Sequence, residues 1–148
     1  KVAFACDHRG YRLKQPIFQI LKKLNCDVID CGTDSEDSSD YPDFILRAAE
    51  KLGSGTCSRA IGVCHTGIGS SILANKVRGV YAALVHTVEE AQLSRAHNNA
   101  NMLILGAGFI QPEILESLIR TWLTTSFEGG RHERRVQKIY DYEAEHSR

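Results

Sequence analysis

The amino-acid sequence predicts an α/β fold in which a five-stranded parallel sheet lies between two layers of helices. Two observations carry this prediction: segments typical of strands and helices alternate five times, and the strand segments are apolar almost throughout. Strands covered on both faces have this composition, whereas strands with one solvent-exposed face alternate polar and apolar residues. Repeated strand–helix alternation is typical of parallel sheets with right-handed crossovers.

The five predicted strands are short runs of apolar and β-branched residues. They lie at residues 2–5, 28–31, 60–63, 80–85 and 102–105. We expect the strand order 2-1-3-4-5, which makes the architecture a three-layer Rossmann-like fold with an extra C-terminal helix. The sequence has no linker, repeat or low-complexity stretch, so we expect residues 1–148 to form one domain.

Apolar residues spaced three or four positions apart predict the first two helices, at residues 17–24 and 45–52. Pro16 indicates either that the first helix starts near Lys14 or that an earlier turn bends there, and we favour the bend. A third helix is expected from beyond Gly69 to about Lys76.

Helix-start signals place the last three helices. Thr87 and Glu90 have the spacing of a capping box and open the fourth helix. Pro112, a residue type favoured at a first helical position, opens the fifth. A strongly charged sixth helix is expected at residues 131–145. The apolar face of the fifth helix consists of Leu115, Leu118, Ile119 and Trp122.

Composition restricts the function classes. The 148 residues are 43% hydrophobic and 24% charged, and the formal net charge is zero. This balance argues against nucleic acid or an anionic membrane as a partner. No apolar run approaches the ~20 residues of a spanning helix. The five cysteines include no C-x-x-C pair, so we expect reduced thiols and a cytoplasmic protein.

Two polar clusters follow the first and third strands. The first is Cys6-Asp7-His8-Arg9-Gly10, and the second covers residues 64–71, Cys-His-Thr-Gly-Ile-Gly-Ser-Ser. In an open parallel sheet, the ligand crevice lies at the carboxyl ends of the strands, where the strand order reverses. For the expected order this point lies between strands 1 and 3, so both clusters are expected at one crevice.

Cys64 is a candidate nucleophile or base, because a thiol near a helix N-terminus is favoured as the thiolate. Gly67 and Gly69 precede the same helix, whose first amide groups lack internal partners and suit an anion. Two simpler interpretations stay open here: a plain tight turn between strand and helix, and a buried structural cysteine.

The end of the fourth helix and the start of the sixth hold further candidates. His97 is near a helix C-terminus, which favours its protonated form and suits a proton donor. The neighbouring asparagines are equally consistent with a helix stop. Arg131 and Arg135 are four residues apart and share a face suited to one phosphate group. A solvated charged helix remains the alternative for them.

Six dispersed motifs together resemble ribose-5-phosphate isomerase type B, in a family that also holds galactose-6-phosphate and allose-6-phosphate isomerases. The resemblance spans essentially the whole chain, in order and with matching spacing. The motifs are Asp7-His8, Asp40-Tyr41-Pro42, Cys64-x-Thr66-Gly67-x-Gly69-x-Ser71, Ala74-Asn75-Lys76, Arg95-x-His97-Asn98 and Gly129-Gly-Arg131-His132-x-x-Arg135-Val136.

The resemblance implies interconversion of D-ribose 5-phosphate and D-ribulose 5-phosphate through an enediolate, a step of the pentose phosphate pathway, without metal or organic cofactor. By the same resemblance, Cys64 is the base, His97 opens the furanose ring, and Thr66 belongs to the anion hole. Some relatives use a carboxylate four residues after the cysteine position, but that position is Ile68 here.

The resemblance also implies a homodimer with shared active sites, which can pair further into a tetramer. The segment containing His97 and Asn98 is expected from the neighbouring subunit. The implied substrate-binding residues are Asp7, His8, Tyr41, His65, Gly67, Ile68, Gly69, Asn98, Arg131 and Arg135.

Two positions depart from the family pattern. His65 stands where the family usually has glycine, and Gly108 stands where many relatives carry an arginine for phosphate. Three alternatives remain: an isomerase of a six-carbon sugar phosphate such as allose 6-phosphate, a non-catalytic sugar-phosphate or nucleotide-binding module, and a zinc site. The zinc site would use Cys6, His8, Cys64 and His65.

Overall fold

The computed structural model describes residues 1–146 and has one five-stranded, all-parallel sheet at its centre. The parallel sheet confirms the predicted fold class. Its strands are β1 (Val2–Cys6), β2 (Val28–Asp30), β3 (Arg59–Cys64), β4 (Ala82–Leu84) and β5 (Met102–Gly106).

The strand order is β2-β1-β3-β5-β4, so the predicted order 2-1-3-4-5 was wrong in its last two positions. β5 pairs with β3 along its whole length, from Met102 beside Ala60 to Gly106 beside Cys64. All five residues of β5 are buried, whereas the three residues of β4 are only half-buried. A fully apolar strand gains most free energy in the sheet interior, and the shorter strand occupies the edge.

Within the described residues, six α-helices flank the sheet or its edge. They are α1 (Lys14–Lys23), α2 (Tyr41–Gly53), α3 (Ile68–Ala74), α4 (Val88–Ala96), α5 (Leu115–Thr124) and α6 (Arg131–His146), with short 3₁₀ turns at Tyr11–Leu13 and Pro112–Ile114.

Two helix starts test the sequence signals directly. α1 begins at Lys14 after a 3₁₀ turn, so Pro16 lies in the first helical turn, where its missing N–H leaves no hydrogen bond unmade. The bend that we favoured was therefore the wrong alternative. Thr87 is the N-cap of α4 and its Oγ1 accepts a hydrogen bond from the Glu90 amide at 3.0 Å, as predicted.

The side chains of the strands alternate between two hydrophobic layers. On one face Phe4, Ile61 and Leu103 pack with α1, α4 and α5. On the other face Ala3, Ala60 and Ile104 pack with α2 and α3. The predicted face of α5 is buried, with Trp122 fully enclosed. This arrangement confirms the three layers and aligns the carboxyl ends of β1, β3 and β5 along one edge.

The C-terminal helix α6 lies against the opposite, amino-terminal edge of the sheet. Glu143 accepts hydrogen bonds from the Tyr81 hydroxyl at 2.5 Å and from the Gly79 amide at 3.1 Å, just before β4. Tyr140 accepts a hydrogen bond from the Asn99 side chain, just before β5, at 3.3 Å. Within residues 1–146, none of the helices has the length and apolar character needed to span a membrane.

Candidate active site

Cys64 ends β3, between the carboxyl ends of β1 and β5. Because β5 is the neighbour of β3, the loop after β5 forms one wall of the site. The Ala107 amide donates to the Cys64 carbonyl at 2.8 Å, and the Gly108 amide donates to the His65 carbonyl at 2.9 Å. These bonds tie the Cys64-His65 segment to the chain that leaves β5.

The thiol of Cys64 is nearly enclosed and has a hydroxyl neighbour. Cys64 is 5% exposed and Ser70, in the first turn of α3, is fully buried. The Ser70 hydroxyl donates a hydrogen bond to Sγ of Cys64 at 2.9 Å. The thiol therefore faces a polar donor in a site that is otherwise shielded from water.

The loop between β3 and α3 provides further donors. Gly67 is the N-cap of α3 and has φ of 79°, a left-handed conformation that glycine adopts without strain. Oγ1 of Thr66 accepts a hydrogen bond from the Ile68 amide at 3.1 Å. That bond uses a lone pair of Oγ1, so the hydroxyl hydrogen of Thr66 is available to donate to a ligand oxygen.

Asp7 and His8 follow β1 at the same edge. Oδ1 of the buried Asp7 accepts hydrogen bonds from the amides of Arg9 and Gly10, both at 3.0 Å, which fixes the carboxylate. Nδ1 of His8 accepts a hydrogen bond from the Ser39 amide at 3.1 Å. A neutral His8 then carries its hydrogen on Nε2 and can donate it to a ligand.

Tyr41 reaches this edge from the first turn of α2. A Cβ atom added to Gly69 would lie closer than 3.0 Å to the Tyr41 ring, so the phenol is in contact with the Gly69 backbone. The contact places a tyrosine beside the glycine loop, as expected for a residue in the wall of a pocket.

The two departures from the family pattern are in contact with each other. A Cβ atom added to Gly108 would lie closer than 3.0 Å to the imidazole of His65. His65 also packs against Phe109, with ring centroids 5.8 Å apart. The imidazole thus occupies the space that a side chain at position 108 would need, and it lies exposed at the rim of the site.

His97 is the C-cap of α4 and belongs to a second cluster. Its ring stacks on that of His132, with centroids 4.0 Å apart and an angle of 11° between the planes. Oε1 of Glu128 lies 3.8 Å from Nε2 of His97 and 3.5 Å from Nε2 of His132. His132 is 8% exposed, and burial together with the charges of His97 and Arg131 lowers its pKa.

This cluster has the residue types of a metal site but not its geometry. The ligand atoms of His97, Glu128 and His132 all lie within 4.8 Å of one another. A metal ion lies in the plane of each imidazole that binds it. Two stacked rings direct their lone pairs along separate parallel planes, so one ring must rotate before both can bind one ion.

The zinc site considered from the sequence is not assembled. All four of its residues lie in the described part of the chain, and no three of them bring ligand atoms within 4.8 Å of one another. Cys6 is fully buried at the end of β1, and burial raises the pKa of its thiol to about 11, which disfavours the thiolate that binds metal.

Arg131 and Arg135 lie on successive turns at the start of α6, and both are exposed. Within residues 1–146 neither guanidinium has a carboxylate oxygen within 4.0 Å. The pair is therefore free to bind an anion from outside.

The candidate residues divide between two opposite edges of the sheet. Cys64 lies at the carboxyl edge with the polar clusters after β1 and β3. His97 and Asn98 precede β5, and the Glu128 amide ties the start of α6 to the Ala96 carbonyl at 3.0 Å. At ~3.3 Å per residue, the length of β5 separates the two groups by more than ~13 Å. One chain does not bring them together.

The comparisons with known proteins agree with this arrangement of motifs. The sequence profile described as Ribose/Galactose Isomerase matches residues 2–139. The chain belongs to this family. It is 40% identical over 139 residues to ribose-5-phosphate isomerase B of Escherichia coli, covering 94% of this chain and 93% of that protein.

Two solved structures of family members superpose closely on this fold. Ribose-5-phosphate isomerase B of Clostridium thermocellum has a TM-score of 0.94 at 45% identity, covering 99% of each chain. The enzyme of Mycoplasma genitalium, solved with bound ribulose-5-phosphate, has a TM-score of 0.92 at 40% identity, covering 97% of this chain and 96% of that one.

In this member of the Ribose/Galactose Isomerase family, four polar residues near the candidate residues were not predicted from the sequence. Ser70 contacts Cys64, Ser39 holds His8, and Glu128 and His132 surround His97. Ser39 lies in an acidic, serine-rich loop with no pattern of its own. His132 had one signal, since it stands between Arg131 and Arg135 in a family motif.

Proposed function

We propose that this chain is an aldose–ketose isomerase that interconverts D-ribose 5-phosphate and D-ribulose 5-phosphate. One observation carries the proposal: in a member of the Ribose/Galactose Isomerase family, a shielded thiol lies at the carboxyl edge of the sheet beside a loop rich in donors. The ligand of the Mycoplasma genitalium relative, ribulose-5-phosphate, favours the five-carbon substrate over a hexose phosphate.

In the proposed reaction Cys64 acts as the base. Its thiolate takes the proton from C2 of the open-chain aldose, which gives an enediolate. The hydroxyl proton moves from O2 to O1, and the thiol returns the first proton to C1 to give the ketose. Removal of a proton next to a carbonyl requires a positioned base and donors where the oxyanion charge develops. The Thr66 hydroxyl, with the amides of Gly67 and Gly69, is suited to stabilise this charge.

The remaining residues of the carboxyl edge hold the sugar. We assign the fixed carboxylate of Asp7 and the Nε2 hydrogen of His8 to sugar oxygens. Tyr41 and His65 each form part of the wall, and Ile68 supplies an exposed apolar rim. Backbone amides donate to Oδ1 of Asp7 and to Nδ1 of His8. Oδ2 of Asp7 and Nε2 of His8 are therefore left for the ligand, which supports the assignment of these two residues.

A second copy of the chain completes the site in this proposal. It supplies His97 and Asn98 for ring opening and Arg131 and Arg135 for the phosphate. The location of these residues on the opposite sheet edge supports a site shared in a homodimer. The carboxyl edge also exposes large apolar side chains, with Ile68, Ile72 and Phe109 between 56% and 60% exposed. Such a patch is typical of an interface.

A coupled assay on ribose 5-phosphate, with allose 6-phosphate as comparison, tests the substrate. The assay is run with and without a chelator, because we expect no metal requirement. Turnover of ribose 5-phosphate alone supports the proposal. Turnover of allose 6-phosphate in its place identifies a hexose-phosphate isomerase, and binding without turnover of either identifies a binding module.

Substitution of Cys64 tests the base. Cys64→Ala is expected to lower kcat by ~10²–10⁴-fold, the usual contribution of a positioned general base, without loss of folding. Cys26→Ala is the matched control, since Cys26 is a free, partly buried cysteine just beyond α1, and its kcat should equal that of the wild type. Retention of more than about a tenth of wild-type kcat by Cys64→Ala rejects Cys64 as the base.

A further inference from the structure

Ser70 makes a contact that the proposed reaction does not yet use. Its hydroxyl donates to Sγ of Cys64 at 2.9 Å, and both residues are shielded from solvent. Serine hydroxyls inside helices usually bond to a backbone carbonyl three or four residues earlier. Within residues 1–146, no carbonyl accepts from this one, and the thiol sulfur is its partner.

We infer that Ser70 is a positioning residue that stabilises the thiolate of Cys64, an inference that rests on the proposed role of Cys64 as base. A thiolate buried without a donor loses the solvation that water provides. A hydrogen bond from a neutral donor to a charged acceptor is stronger than one to the neutral thiol. The Ser70 hydroxyl therefore favours the ionised form of Cys64 over the protonated form.

The position of Ser70 follows from the local fold. Cys64 is the last residue of β3, and the left-handed turn at Gly67 reverses the chain into α3. The third residue of α3 then faces back toward the strand end. The neighbouring Ser71 is only partly buried and has no such contact, so the contact depends on position 70 itself.

The inference predicts a particular dependence on pH. Without the hydroxyl, the thiolate of Cys64 loses a donor, so kcat/KM of the variant is expected to fall most at pH values below the midpoint of its profile. Above its new midpoint the variant again holds a thiolate, and the loss of kcat/KM becomes smaller. A purely structural role of Ser70 would instead reduce kcat/KM by a similar factor at every pH.

The test measures the alkylation of Cys64 by iodoacetamide as a function of pH, resolved by peptide mass spectrometry. In Ser70→Ala the midpoint is expected to rise by about one pH unit, the tenfold effect of losing one hydrogen bond to a charged group. Cys26 is the internal reference, and its profile should not change. Ser94→Ala, which removes another buried serine hydroxyl, should leave the Cys64 profile as in the wild type.

A second pair of variants keeps the inference testable if Ser70→Ala does not fold. Ser70→Thr retains the hydroxyl. Valine has nearly the same shape as threonine but no hydroxyl, so only Ser70→Val should show the raised midpoint. Equal midpoints for hydroxyl and non-hydroxyl variants overturn the inference. Since alkylation requires no substrate, a chain that fails to isomerise ribose 5-phosphate still gives this result, and the two failures are distinguishable.

Discussion

Cys64 and His97 carry different steps of the proposed reaction, and their surroundings differ accordingly. Cys64 is enclosed beside donors, which suits proton transfer at carbon. His97 is partly exposed at a helix C-terminus, stacked on His132 and near Glu128. A partly exposed imidazole beside a carboxylate can donate a hydrogen bond to the ring oxygen of a furanose.

Substitution of His97 should separate ring opening from isomerisation. His97→Asn is expected to lower kcat, measured at saturating substrate, for ribose 5-phosphate by about 10²-fold, the lower range for loss of a general acid. The loss for ribulose 5-phosphate should be smaller, because this ketose has no furanose ring to open. Initial rates measured in both directions check this, with His86→Asn as the control at an exposed histidine. Equal losses with the two substrates would instead indicate a structural role.

Single residues were predictable where backbone topology alone determines their place. Cys64 ends one strand, and Asp7 and His8 follow another, so the rule for carboxyl ends was sufficient to locate them. The sequence left Ser70 and Ser39 unassigned, because their importance depends on which way a side chain points. A helix-start serine contacts Sγ of Cys64 only through the geometry of the turn at Gly67.

At the scale of elements, the exchange of β4 and β5 changes which loop borders the site. The predicted order placed the end of β4 beside Cys64, whereas the chain after β5 lies there. Both segments are apolar, so composition alone did not rank them. Predicted length pointed the other way, with residues 80–85 against 102–105, and only the structure shows β4 to be the shorter strand and β5 to be fully buried. Because β5 pairs with β3, the loop after β5 brings Gly108 next to His65.

This contact predicts coupling between positions 65 and 108. Gly108→Arg alone should lower kcat/KM by about tenfold or more, because its Cβ meets the His65 imidazole and displaces a wall of the site. His65→Gly removes the obstacle, so the double variant should recover most of that loss. A double-mutant cycle on kcat/KM measures the coupling. Additive effects at positions 65 and 108 would contradict the coupling.

At the scale of the whole molecule, the separation of the two residue groups follows from the parallel sheet itself. Every strand ends at one edge and begins at the other, so residues that follow β3 cannot meet residues that precede β5. A two-fold pairing of two chains can place the carboxyl edge of each against the amino-terminal edge of the other. The exposed side chains of Ile68, Ile72 and Phe109 would supply apolar area for the proposed contact.

Mixing two inactive variants tests this shared site. In a heterodimer of Cys64→Ala with His97→Asn, one site combines both substituted residues, and the other combines an intact Cys64 with an intact His97. Random reassortment of equal amounts makes half of the dimers mixed, so about one quarter of all sites should be active. Subunits are first exchanged by mild denaturation and refolding, and heterodimers are verified by affinity tags. The refolded homodimers of each variant are the controls. If verified heterodimers show no activity above these controls, His97 does not act across the subunit boundary.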